Sequence, residues 1–159
     1  MVLDDLRDKA SKYGQPYKPF VIAVLYMRDL AIDHFIEEAL YGPHVVTLPV
    51  SDDPEFVGEA QLDRDPYGLW QRGQSQRATR VSAVLSAVHL TPWSIASTPL
   101  RLWLNPWAKR PLSVRLPWAT ISGDLHANTL VRHDATRQPH EILGLDDGWP
   151  AKRHVEHQR

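Results

Sequence analysis

The segment Phe20-Val-Ile-Ala-Val-Leu-Tyr26 constrains this chain more than any other. It is an unbroken run of apolar and aromatic residues rich in β-branched side chains, with no polar alternation. Such a run reads as a strand covered on both faces, as in a parallel or mixed sheet. It is far shorter than the roughly 20 residues needed to cross a bilayer.

Helical patterns stand on either side of it. Over 3–13, Leu6, Ala10 and Tyr13 share one face, and Asp4 and Asp5 fall in the first turn, where the helix dipole favours anions. Gly14 and Pro16 are stop signals. Asp29 is placed to cap a second helix over 30–41, with Ile32, Phe35, Ile36, Ala39 and Leu40 as its stripe and Gly42-Pro43 as its end. The stretch 45–50 reads as a second, shorter strand, and Pro49 makes it an edge strand or ends it early. If the two strands join one sheet in parallel, their crossover is right-handed.

The segment 51–79 reads as a long loop, rich in acids and pinned by Tyr67, Leu69 and Trp70. Residues 80–90 and 99–105 are predicted to pair antiparallel, with Leu100, Leu102 and Leu104 on one face and Arg101 and Trp103 on the other. The fold class is therefore α/β (α+β). A mixed sheet begins helix–strand–helix–strand, an antiparallel strand pair follows, and the C-terminal tail is poorly structured. Residues 1–118 are expected to form a single domain, incomplete on its N-terminal side. Residues 119–159 are a partly disordered tail with one short docked turn near Glu141 to Leu145.

The chain has no cysteine, which removes disulfides, thiolate zinc sites and a cysteine nucleophile and fits a reducing compartment. Its charged N-terminus lacks the apolar core of a secretion signal, so a cytoplasmic location is predicted, with no membrane partner. A formal net charge of −1 gives no support to a nucleic-acid partner.

Several residue groups invite a chemical role. His126, His133, His140, His154 and His157 read as solvated side chains, and no metal site is expected from them. The string Ser122-Gly-Asp-Leu-His-Ala-Asn128, with Asp147, resembles the catalytic loop of aminoglycoside-phosphotransferase-type kinases. Its spacing is one residue short and no glycine-rich phosphate loop precedes it, so it reads as a chance likeness. Trp93, Trp103, Trp107 and Trp118 crowd around Pro92, Pro106 and Pro117. They are candidates for an interface that holds a protein partner, against the simpler reading that they wrap a small core.

Taken as a set, Asp8-Lys-Ala-Ser-Lys-Tyr-Gly14, Lys18-Pro-Phe-Val-Ile-Ala-Val24, Glu38-Ala-Leu-Tyr-Gly42, Arg80-Val-Ser-Ala-Val-Leu85 and Leu104-Asn-Pro-Trp-Ala108 resemble the C-terminal portion of a bacterial family of uncharacterised proteins. The helix–strand–helix order also resembles the second half of a restriction-endonuclease-like core. That resemblance implies metal-binding acids and a lysine on a hairpin ahead of the first helix, upstream of Met1. Lys9 or Lys12 would be the polar residue that this helix adds to the site. It implies magnesium or a similar ion only in a longer form of the protein. No Glu-x-Lys triplet lies on a predicted strand, so this chain alone is expected to cut nothing. The architecture further requires Phe20–Tyr26 to lie inside a sheet, between two flanking helices.

Overall fold

The computed structural model describes residues 2–14, 16–27, 32–49, 58–72, 75–124 and 129–150. In chain order these form α1 (Val2–Lys12), β1 (Phe20–Tyr26), α2 (Ile32–Tyr41), β2 (His44–Thr47), β3 (Gln61–Arg64), β4 (Gln71–Arg72), β5 (Ser75–Gln76), β6 (Val81–Val88), β7 (Arg101–Leu104), β8 (Ala119–Asp124), β9 (Thr129–His133) and α3 (Pro139–Leu143).

The main sheet is mixed, with five strands in the order β1-β6-β7-β8-β9. The strand pairs β1 with β6 and β7 with β8 run parallel, while β6 with β7 and β8 with β9 run antiparallel. The register Ile22–Val84–Trp103–Ile121 lays one row across four strands. Because neighbouring strands keep paired residues on the same side of the pleat, this row defines one face. Leu6 and Ala10 of α1, and Ile36 and Leu40 of α2, are buried in one cluster with it. Both helices therefore cover the same face. The expected antiparallel pair is present as β6 and β7.

Three expectations need correction. First, β1 is a rim strand, since among the described residues it pairs only with β6. Ala23 and Leu25, pointing away from the helices, are exposed. The central apolar strand is β6, which pairs on both edges and is buried along most of its length. Apolarity marked both strands equally, and only pairing separates them. In this respect the chain departs from the architecture that the nuclease resemblance implies.

Second, β2 does not join the sheet. It pairs antiparallel with β3 in a separate ribbon, His44 opposite Arg64 and Val45 opposite Asp63. The segment expected as a loop from 51 to 79 thus holds β3, β4 and β5, and buries Leu69 and Trp70, while Tyr67 is exposed. Residues 51–57 and Asp29, the cap expected from sequence, lie outside the described residues.

Third, the sheet runs past residue 118, the expected edge of the domain. The strands β8 and β9 extend it, and α3 follows, capped by Gly144 in the left-handed region at φ 65°. Both strands mix polar with apolar residues, so neither shows a clean period in sequence. Residues 151–159 lie outside the described residues.

The end of α2 is held by unusually close backbone contacts. The last carbonyls of a helix lack partners within it. Here Leu69 N–H donates to Ala39 O at 2.7 Å and Trp70 N–H to Leu40 O at 3.3 Å. Tyr41 then reaches across to the sheet, its hydroxyl 2.8 Å from Leu104 O and 3.4 Å from Ile121 O. Burial, reinforced by the negative charge of Glu37, pushes the Tyr41 phenol well above its ordinary range. Burial, with a smaller push from Asp5, raises Tyr26 to about 12.

For a phenol, a raised folded-state value means that folding favours the neutral form. That stabilisation is complete below the free phenol's value of 10.0 and is lost as pH climbs through about 12, where folded Tyr26 ionises. The unfolding temperature is therefore expected to fall between these two pH values, and less steeply in Tyr26→Phe. Thermal scans followed by circular dichroism at stepped alkaline pH measure this. Identical slopes in the two proteins would exclude Tyr26 as a cause.

Candidate nucleic-acid interface

The N-terminal ends of β1 and β6 meet the turn that follows β7, and buried polar side chains fix that junction. Ser82 is buried, accepts the Phe20 N–H at 2.9 Å and donates to Arg110 O at 2.6 Å. Asn105 is buried as well. Its amide donates to Val81 O at 2.8 Å and Ala78 O at 3.3 Å, and its Oδ1 accepts the Trp107 N–H at 3.0 Å. Lys109 N–H donates to Thr79 O at 2.7 Å. Fully paired buried polar groups of this kind set geometry firmly, because leaving any one unpaired costs about 1–3 kcal/mol.

That scaffold places cationic side chains together. Arg80 donates through Nη1 to Tyr13 O at 2.9 Å, and the Arg110 guanidinium donates to Tyr17 O. The connection from α1 into β1 is thus held by two arginines, one from the start of β6 and one from the turn after β7. Lys18 lies on that connection, its Nζ 5.6 Å from the Tyr17 ring centre. Lys12 ends α1 directly before Tyr13, and Lys109 adjoins Arg110. Arg7, Arg77 and Arg80 wall a shallow cleft beside it, with Ser11 and Gly68. Among the described residues, none of Lys12, Lys18, Arg77, Arg80, Lys109 and Arg110 forms an ion pair with a carboxylate.

The charge is segregated along the chain as well. Residues 66–123 hold seven Lys or Arg and no Asp or Glu, and 9–27 hold three lysines and no acid. By contrast, 29–65 hold ten acids and one arginine. The net charge of −1 averages over these blocks and conceals them. The signal was legible in the sequence as an acid-free run; a whole-chain sum discards it.

The acidic block has a cationic clasp of its own. Glu37 on α2 is buried, with Arg64 Nη2 2.6 Å from its Oε1 and the Arg132 guanidinium on its Oε2. Arg64 also donates to Gly42 O at 3.0 Å and lies 2.8 Å from His44 Nε2. Since a guanidinium only donates, the His44 ring nitrogen is the acceptor there. Arg101 on β7 pairs with Asp33 at 2.5 Å. These cations are committed to carboxylates, which separates them from the group around Arg80 and Arg110.

The residues singled out from sequence fare unequally. Lys9 and Lys12 are both exposed on the last turn of α1, and Lys12 borders the cationic end. The four tryptophans do not form one face. Trp93 is 74% exposed, whereas Trp103 is 1% exposed and donates its Nε1–H to Ser86 Oγ at 2.9 Å, which makes it core and unavailable to a partner. Trp107 is half-buried and packs against the core. Trp118 is half-buried and lines an apolar cleft of about 220 Å³ with Leu90, Ile95, Leu100, Ile142 and Leu143. Of the phosphotransferase-like string, the side chain of Asp124 and residues 125–128, with His126 and Asn128, lie outside the described residues, and Asp147 is exposed. His154 and His157 also lie outside them.

Among the described residues no three of His, Asp and Glu gather closely enough to hold a metal ion, and no helix is long and apolar enough to cross a membrane. Fold and site together define an α+β protein with a cationic end on its mixed sheet. Comparison of the chain with protein-family models, with curated proteins and with solved structures gave no match.

Proposed function

We propose that this chain binds nucleic acid, gripping the phosphodiester backbone with Lys12, Lys18, Arg80, Lys109 and Arg110. The observation that carries the reading is the gathering of these cations at one end of the sheet, none of them in an ion pair with a carboxylate among the described residues. Phosphates release condensed counterions when such side chains neutralise them, and this supplies most of non-specific affinity. Arginine suits the task because its guanidinium has five donors, so one carbonyl bond each leaves Arg80 and Arg110 with donors to spare. The rim position of β1 departs from the architecture that a restriction-endonuclease-like core requires, so the proposal rests on the cations alone. The role proposed for these residues is binding, not hydrolysis. The rival reading, a protein partner on the tryptophan-rich segment, retains Trp93 and the cleft beside Trp118 but loses Trp103 to the core.

The test is salt dependence. With four to five phosphate contacts, the affinity for an oligonucleotide is expected to fall by ~100-fold between about 50 and 200 mM salt. Lys18 and Lys109 are both exposed, so reversing them should leave the fold intact. Lys18→Glu with Lys109→Glu is expected to lower the salt slope by about two and affinity by at least ~10-fold. Fluorescence anisotropy titrations measure both. Salt-independent binding, or a double variant that binds like the parent, sinks the proposal.

A further inference from the structure

Resting on that reading, we infer that the ligand is single-stranded, with unpaired bases stacked on Tyr13 and Tyr17. Both rings lie on the connection between α1 and β1, and both are exposed, Tyr13 at 58% and Tyr17 at 78%. Large aromatic side chains left open to water beside a cationic group are the pattern of a stacking platform, in which cations follow the backbone and rings take the bases.

The platform is held in place. The Tyr13 carbonyl accepts from Arg80 and the Tyr17 carbonyl from Arg110, so the backbone under each ring is tied to the sheet. Pro16 and Pro19 bracket Tyr17 and fix two φ angles. The Tyr13 ring meets Phe20 edge to face, with centroids 5.6 Å apart. The Lys18 ammonium lies over one face of the Tyr17 ring, 5.6 Å from its centre, so the opposite face of this 78% exposed ring is the one offered to a base, next to a phosphate contact. Anchoring the backbone at these two residues lowers the ordering cost of binding, which favours affinity.

A duplex gains little from this arrangement. Its base faces are covered by neighbouring pairs, and its sequence is read by a helix or ribbon entering a groove. Here the exposed element is a short connection, while α1 buries Leu6 and Ala10 against the sheet. Phosphate contacts serve both forms alike, so the two tyrosines decide between them.

The experiment is a pair of anisotropy titrations of the full chain at one salt concentration. The probes are a labelled oligothymidylate of about twelve nucleotides and its duplex with oligoadenylate. The single strand is expected to bind at least ~10-fold more tightly. Tyr17→Ala is expected to lose about tenfold for the single strand and nothing for the duplex. Tyr17→Phe, which keeps the ring, is expected to match the parent. Circular dichroism confirms folding of each variant. Equal or tighter binding of the duplex, or a Tyr17→Ala protein that holds the single strand like the parent, overturns this inference while leaving the backbone-binding reading in place. Failure of both probes to bind overturns that reading too.

Discussion

Glu37→Ala is expected to destabilise the protein by about 3–5 kcal/mol, the cost of leaving a buried charge without its partner. Glu37 and Arg64 are both largely out of water, with side chains 8% and 11% exposed. Arg64 cannot swing into solvent without also giving up Gly42 O and His44 Nε2. The carboxylate in turn joins α2 to β3 through Arg64 and to β9 through Arg132. Removing it strands Arg64 inside and uncouples the β2–β3 ribbon from the sheet. Arg132 is different, with 62% of its side chain exposed. Arg132→Ala is expected to cost less, about 1 kcal/mol, because Glu37 keeps Arg64 as its partner and an exposed cation contributes little. The pair of substitutions Glu37→Leu with Arg64→Met is expected to recover most of the loss, since apolar replacement of both partners removes the desolvation cost. Urea unfolding with an unchanged m-value reads each stability. A Glu37→Ala protein within about 1 kcal/mol of the parent would show that the clasp carries no structural weight.

Gly68→Ala is expected to cost about 3 kcal/mol, the upper end of what overpacking usually does. A Cβ at this position would stand 2.3 Å from Leu40 O and 2.7 Å from Gly42 N, both backbone atoms with no side chain to move aside. That approach is what lets the Leu69 and Trp70 amides reach the end of α2. A displaced segment would loosen Trp70, which is fully buried and packs edge to face on Tyr41 at 4.8 Å. For a chain of this size the unfolding temperature is expected to drop by roughly 6–12 °C. Gly148→Ala is the control, because a Cβ there meets nothing within 4 Å. It is expected to change stability by less than about 0.5 kcal/mol. Equal effects of the two substitutions would refute the close-packing explanation.

Much of the local structure was legible. The apolar run of β1, the stripe that buries Ile36, Ala39 and Leu40, the Gly42-Pro43 stop and the alternation of β7 follow from short-range rules. The candidate site was legible only in part. Lys12 stands out only through a resemblance, whereas Arg80 and Arg110 carry no local mark, and Lys18 and Lys109 look like any surface lysine. They gather because Ser82 and Asn105 tie three distant chain segments into one corner. The two faces of β7 tell a similar story. Alternation predicted Leu102 on one side and Trp103 on the other, yet both are buried, since the sheet is covered on both sides at that point. Trp93, ten residues earlier and of the same chemistry, stands in water.

The sequence by itself determined where most helices and strands lie and how positive and negative charge divide along the chain. Side-chain period, breakers and charge are properties of neighbouring residues, and neighbours are what a sequence records. Tertiary structure alone decided that β1 takes the rim, that β2 leaves the sheet for a ribbon with β3, that β8 and β9 extend it, and which cations meet. Each of those outcomes depends on a partner many residues away, and strand pairing is selected by the total burial and hydrogen bonding of the whole sheet rather than by any one segment.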